Sequence, residues 1–93
     1  MKDSAHLTHL LYATLLQCKT EEDVACLLAD LCTYQEVEQM AQRVAAAKLI
    51  AEGKTYAEII ERTGISSATL SRVSRAIRHG SGGYEKFLPK GEA

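Results

Sequence analysis

The chain reads as an all-α protein of about six helices, and three observations predict it. Apolar residues recur at the i, i+3, i+4 spacing of a helix face. Hydroxyl residues suited to opening helices stand at Thr20, Thr33, Thr55 and Ser66, and glycines suited to ending them stand at Gly53, Gly64 and Gly80. No stretch alternates apolar and polar residues with the period of two expected of a strand. With 93 residues, 46% of them apolar, and one proline, the composition fits a single compact helical domain over residues 1–93.

The first helix is marked by the stripe Leu7, Leu10, Leu11 and Leu15. Thr20 followed by Glu21, Glu22 and Asp23 starts a second, because carboxylates suit the positive end of a helix dipole. Val24, Leu27, Leu28 and Leu31 are its expected buried face. Thr33-Tyr34-Gln35-Glu36 is a capping box, in which hydroxyl and carboxylate each satisfy a free backbone N–H. It opens a long third helix through Val37, Met40, Ala41, Val44 and Ile50 that ends at Gly53. Within it, Ala45-Ala46-Ala47 is small enough for another helix to approach closely. A second box, Thr55-Tyr56-Ala57-Glu58, starts a short helix carrying Ile59 and Ile60. Gly64 stops it, Ile65 turns inward and Ser66 caps the next helix. Gly80, Gly82 and Gly83 end that helix before a short amphipathic piece from Tyr84 to Leu88.

The formal net charge of −1 is unevenly divided. Residues 1–41 hold two lysines against seven carboxylates, a net of −5, whereas residues 42–79 hold seven Arg and Lys against three Glu, a net of +4. An acidic half beside a basic half suggests a polyanionic partner on one side; solvated helix faces produce the same segregation, so a site must support it. Cys18, Cys26 and Cys32 are an odd set among leucines and read as core thiols. His6 and His9 share a helix face with no third residue at zinc-site spacing, so no metal is expected. With no acid–base pair or glycine-rich phosphate loop either, the chain does not read as an enzyme. It has no apolar run of the roughly 20 residues that cross a bilayer, and its N-terminus lacks the pattern of a signal peptide. A cytoplasmic location is expected.

Residues 54–79 have the layout of a helix-turn-helix: a capped short helix, a glycine turn with an apolar plug, and a second helix that would enter the major groove. Ile60, Ile65, Leu70, Val73 and Ile77 can wedge the two helices together and against the third. The opposite face then shows Ser67, Ala68, Thr69, Ser71, Arg72 and Arg75. Short side chains such as Ala68 and Thr69 let the backbone approach base edges. Ser66, near the helix N-terminus, suits a phosphate oxygen, and Arg75 and Arg78 reach further toward phosphates. The competing reading is a helical hairpin with a charged solvent face, serving as a protein-interaction or scaffold module.

The run LCTYQEVEQMAQRVAAAKLIAEGKTYAEIIERTGISSATLSRVSRAI resembles the Trp repressor superfamily, and within it the tryptophan-repressor-related YerC/YecD branch. Thr33 opening the long helix, Arg43-Val44 inside it, Gly53 at its end, and Ala68-Thr69 with Arg72 carry the resemblance, which spans roughly two thirds of the chain, Asp30 through Leu88. It implies an intertwined homodimer, with dimerisation helices in residues 1–53, the helix-turn-helix in 54–79, and a C-terminal helix and tail in 80–93. Its partners would be double-stranded DNA and a second copy of the chain, with half-sites one turn of duplex apart. The same resemblance places base and phosphate contacts on Ser67, Ala68, Thr69, Ser71 and Arg78, and the corepressor site on Thr33, Arg43 and Arg72.

Departures from the founding member narrow that picture. Val73 stands where the tryptophan-binding member has glycine, and Ala76 where a serine helps hold the ligand. The valine would intrude into the indole slot and the lost hydroxyl leaves an ammonium short of partners, which argues against tryptophan as the corepressor. No other cofactor is implied. Glu58 and Glu61 replace two basic positions of the first motif helix, so the target sequence should differ as well.

Overall fold

A computed structural model describes residues 3–91, which form six helices and, among the described residues, no strand. These are α1 (Ser4–Leu15), α2 (Glu21–Leu31), α3 (Tyr34–Ala51), α4 (Tyr56–Thr63), α5 (Ser67–His79) and α6 (Gly83–Phe87). The contacts gather into two compact units, Met1–Val37 and Glu38–Ala93, so the division lies inside α3.

In the N-terminal unit every helix start is closed by a side chain. Asp3 accepts the Ala5 N–H at 3.0 Å to begin α1. At α2 the capping is reciprocal: the Asp23 N–H donates to Thr20 Oγ1 (3.0 Å) and the Lys19 N–H donates to the Asp23 carboxylate (3.0 Å). The expected box at Thr33 forms fully, with the Glu36 N–H donating to Thr33 Oγ1 (3.1 Å) and the Thr33 N–H to Glu36 Oε1 (2.8 Å). Hydrogen bonds to an ionised carboxylate favour that form. The Lys19 N–H, with Thr20 behind it, therefore holds Asp23 below the usual carboxylate range, and Thr33 does the same for Glu36.

The apolar faces of this unit are present but uncovered. Leu7, Leu10, Leu11 and Leu15 are all exposed, Leu10 by 46%. The anticipated buried face of α2 is not buried either: Val24 and Leu31 are exposed and Leu27 and Leu28 half-buried. Neither helix contains one buried residue. The cysteines follow suit and are not core thiols in this chain, Cys26 being exposed and Cys18 and Cys32 half-buried. Amphipathic spacing dictates that a face be apolar; it does not dictate that the same chain cover it.

The C-terminal unit has its own core. Ala46, Ala47 and Leu49 of α3, Ile59 of α4, Ile65 of the turn, and Leu70 and Val73 of α5 are buried together, with Ile50, Ile77, Tyr84 and Leu88 packed against them. The small side chains of Ala46 and Ala47 keep that face of α3 low. Ile59, wholly buried, is the wedge from α4, whereas Ile60, expected in that role, is 36% exposed. The box at Thr55 is half formed: the Glu58 N–H donates to Thr55 Oγ1 (3.2 Å), and no returning bond from the Glu58 carboxylate occurs among the described residues. Gly80 ends α5 where a Cβ would collide with the Ala76 carbonyl. Lys48, on α3, donates through Nζ to the carbonyl oxygens of Pro89 (3.4 Å) and Gly91, and pairs with Glu52 at 3.7 Å. These bonds hold the C-terminal tail on the helix.

Candidate nucleic-acid interface

The turn between α4 and α5 is determined residue by residue. Gly64 caps α4 in the left-handed region (φ +75°), which a Cβ would strain. The Thr63 hydroxyl donates back to the Ile59 carbonyl (2.7 Å) and accepts the Ile65 N–H (3.2 Å), aiming the buried Ile65 into the core. Ser66 then opens α5, its Oγ accepting the Thr69 N–H at 3.1 Å. An α4–turn–α5 unit of the helix-turn-helix layout results.

At about 100° per residue, the buried Leu70, Val73 and Ser74 occupy roughly a third of the circumference of α5. Ser67, Ala68, Ser71, Arg72, Arg75 and Arg78 lie on the remainder and are exposed. Thr69 sits at the seam and is half-buried because it adjoins Val73. The three arginines, spaced by three, share an arc of about 120°. No carboxylate occurs between Gly64 and His79. Among the described residues the single ion pair is Lys48–Glu52, so no acid engages Arg43, Arg72, Arg75 or Arg78. Ser66, also exposed, has its hydroxyl engaged with Thr69.

Arg43 and Arg72 line one cleft of about 580 Å³, together with Gln39, Gln42, Thr69 and Val73. Ala76 and Tyr84 also border it. Thr33, the other candidate ligand residue, belongs to the N-terminal unit, where it opens α3. Gln39, Gln42 and Tyr84 are additions to the sequence reading. The glutamines were detectable by spacing, since 39, 42 and 43 share a face of α3; Gln42 indeed reaches Gly64, where a Cβ would stand 3.4 Å from its Nε2. Tyr84 was marked in the sequence only as the start of the short amphipathic piece, with nothing to tie it to a cleft. A second, apolar cleft of about 420 Å³ is lined by Ala47, Ile50, Ala51, Ile77, Tyr84 and Leu88, with polar groups at its edge.

An all-helical chain with a helix-turn-helix whose second helix bears an unpaired arginine arc has the form of a DNA-binding regulator. The chain belongs to the Trp repressor family: the family profile described as Trp repressor protein matches residues 6–92. Members are DNA-binding regulators, not enzymes. The chain is 39% identical over 80 residues to YerC, an uncharacterized protein of Bacillus subtilis strain 168, spanning 86% of this chain and 77% of that one. The crystal structure of a candidate Trp repressor from Staphylococcus aureus matches with a TM-score of 0.84 at 37% identity, over 92% of this chain and 85% of that chain. A TrpR-like protein from Eubacterium eligens ATCC 27750 matches with a TM-score of 0.85 at 34% identity, over 96% of each. No helix among the described residues is long and apolar enough to cross a membrane.

Proposed function

We propose that this protein is a homodimeric, sequence-specific transcription regulator of the cytoplasm, a repressor that occupies a palindromic operator and thereby excludes polymerase. The observation that carries the reading is the exposed, acid-free face of α5. Ser67, Ala68, Thr69, Ser71 and Arg72 stand toward the bases, and Arg75 and Arg78 toward phosphates. The uncovered leucines of α1 and α2, together with the open apolar cleft of the C-terminal unit, support the dimer, since a second copy supplies apolar surface to bury them. Selection of bound duplexes from a random pool tests the reading, with light scattering for the assembly state. A palindrome with half-sites one turn apart, bound by a dimer, is expected; a monomer that enriches no sequence refutes it.

A second role is supported by the polar cleft. Arg43 and Arg72 can clamp an anionic small molecule between α3 and α5, acting as corepressor by setting the angle of the reading helix. Val73 and Ala76 border the cleft and no Asp or Glu lines it, so an ammonium finds no counter-charge and tryptophan is disfavoured. Calorimetry with tryptophan, other amino acids and indole acids tests this, and a flat titration for all removes the corepressor.

A further inference from the structure

The chain leaves α6 at Leu88, whose backbone is extended (ψ 131°) and whose side chain packs against the core. Residues 89–91 then run to α3. Among the described residues, no backbone–backbone hydrogen bond ties these three to the rest of the protein. Their attachment is through side chains. Lys48 Nζ donates to the carbonyls of Pro89 (3.4 Å) and Gly91, and Lys90 Nζ donates to the Glu85 carbonyl (3.3 Å). Of these two anchors only Lys48 comes from a distant part of the sequence, 41 and 43 residues away. A segment without backbone pairing, held by one such anchor, opens with a free energy well below that of global unfolding. Leu88 through Gly91 nonetheless line the apolar cleft of about 420 Å³, together with Ile50 of α3 and Ile77 of α5. One wall of that cleft is thus a strap, and its latch is a single ammonium group.

We infer that Lys48 latches a C-terminal strap, residues 88–91, and that the closed strap completes the apolar surface on which a second copy of the chain packs. This rests on the proposed dimer and assigns its control to one side chain. The rim of the cleft carries two cations and two anions, Lys48, Lys90, Glu52 and Glu85, a balance that lets the surface meet its own copy without net repulsion. A closed strap offers Leu88 and Pro89 as a fixed wall. An open one leaves that wall to be ordered at the moment of association, and the lost entropy weakens the dimer. The Lys48–Glu52 pair does not carry the effect, because a surface pair one helical turn apart contributes little.

Three variants separate the latch from its neighbours. Lys48→Met removes the ammonium but keeps an unbranched stem and good helix propensity. Glu52→Gln removes the ion pair alone, and a chain ending at Leu88 removes the strap beyond the core. Thermal melts by circular dichroism check that each protein is folded. Trypsin cleaves after lysine, so loss of the Lys90–Gly91 bond, followed by mass spectrometry at a matched fraction of dimer, reports strap opening. Sedimentation over a dilution series gives the dimer dissociation constant. Lys48→Met should speed that cleavage about tenfold, the weight of one hydrogen bond from a charged group. It should also raise the dissociation constant about tenfold, as loss of part of one apolar side-chain contact would. Glu52→Gln should leave both within about twofold. In the chain ending at Leu88 the constant should rise equally, and adding Lys48→Met should change it no further. Unchanged cleavage in folded Lys48→Met overturns the latch. Faster cleavage with an unchanged dimer, or further weakening by Lys48→Met once the strap is gone, overturns the role of the strap in assembly while leaving the dimer intact. A folded wild type that stays monomeric at every concentration overturns the dimer reading and this role with it, and the cleavage rates then still decide the latch.

Discussion

Replacing Arg75 and Arg78 together by glutamine should both weaken binding at low salt and flatten its dependence on salt. Two arginines per chain, Arg75 and Arg78, are assigned to phosphates, four in the proposed dimer on its operator. Each phosphate neutralised contributes about −0.9 to the slope of log K against log salt, so four give about −3.6. Affinity then falls about 150-fold through these contacts between roughly 50 and 200 mM salt. With all four replaced, this share of the slope is lost. Fluorescence anisotropy on the selected duplex, across a salt series, measures both lines. Glutamine keeps helix propensity and much of the side-chain stem, so the fold is spared. If the variant binds more weakly but its line runs parallel to wild type, these arginines are not at phosphates. If the wild-type line is flat, the partner is no polyanion and a protein-interaction role for α5 takes its place.

Core substitutions should distinguish neighbouring isoleucines. Ile59→Ala should cost about 3–4 kcal/mol, from three buried carbons at about 0.8 kcal/mol each plus a cavity, and Ile60→Ala only about 1 kcal/mol. Equal losses in urea at one protein concentration would contradict the packing. Gly80→Ala should lower stability by about 1–3 kcal/mol because its Cβ meets the Ala76 carbonyl, while Gly83→Ala, in open surroundings, stays within about 0.5 kcal/mol of wild type. Asp23 and Glu36 are both held below the usual carboxylate range, so their contribution is complete above that range and is lost as pH falls through and below it. The helical stability gap between wild type and Asp23→Asn/Glu36→Gln should therefore close in acid; a gap independent of pH would rule out the capping account.

Local signals in the sequence travelled well into the structure. Gly64, Ile65 and Ser66 perform the stop, plug and cap that their chemistry suggests, because each acts through bonds to residues within a few positions. The choice between Ile59 and Ile60 was not local. Two adjacent isoleucines on an eight-residue helix differ by about 100° in direction, and packing with residues of other elements, among them Ala46, Ala47, Leu70 and Val73, decides which is buried. The leucines of α1 announce an apolar face, yet periodicity is silent about which chain covers it. The cleft role of Tyr84 was hidden for a similar reason: its amphipathic spacing marks a short helix, and its place beside both clefts arises from how α6 returns to α5.

The grip of Lys48 on the carbonyls of Pro89 and Gly91 makes the carboxyl end a poor place for a handle. Lys48 lies five residues beyond Arg43 on the same rod, a separation of about 7.5 Å. A reporter or purification sequence fused directly after the tail would pull on a helix that also forms one wall of the polar cleft, so assays of ligand response are best run with the fusion at the other end.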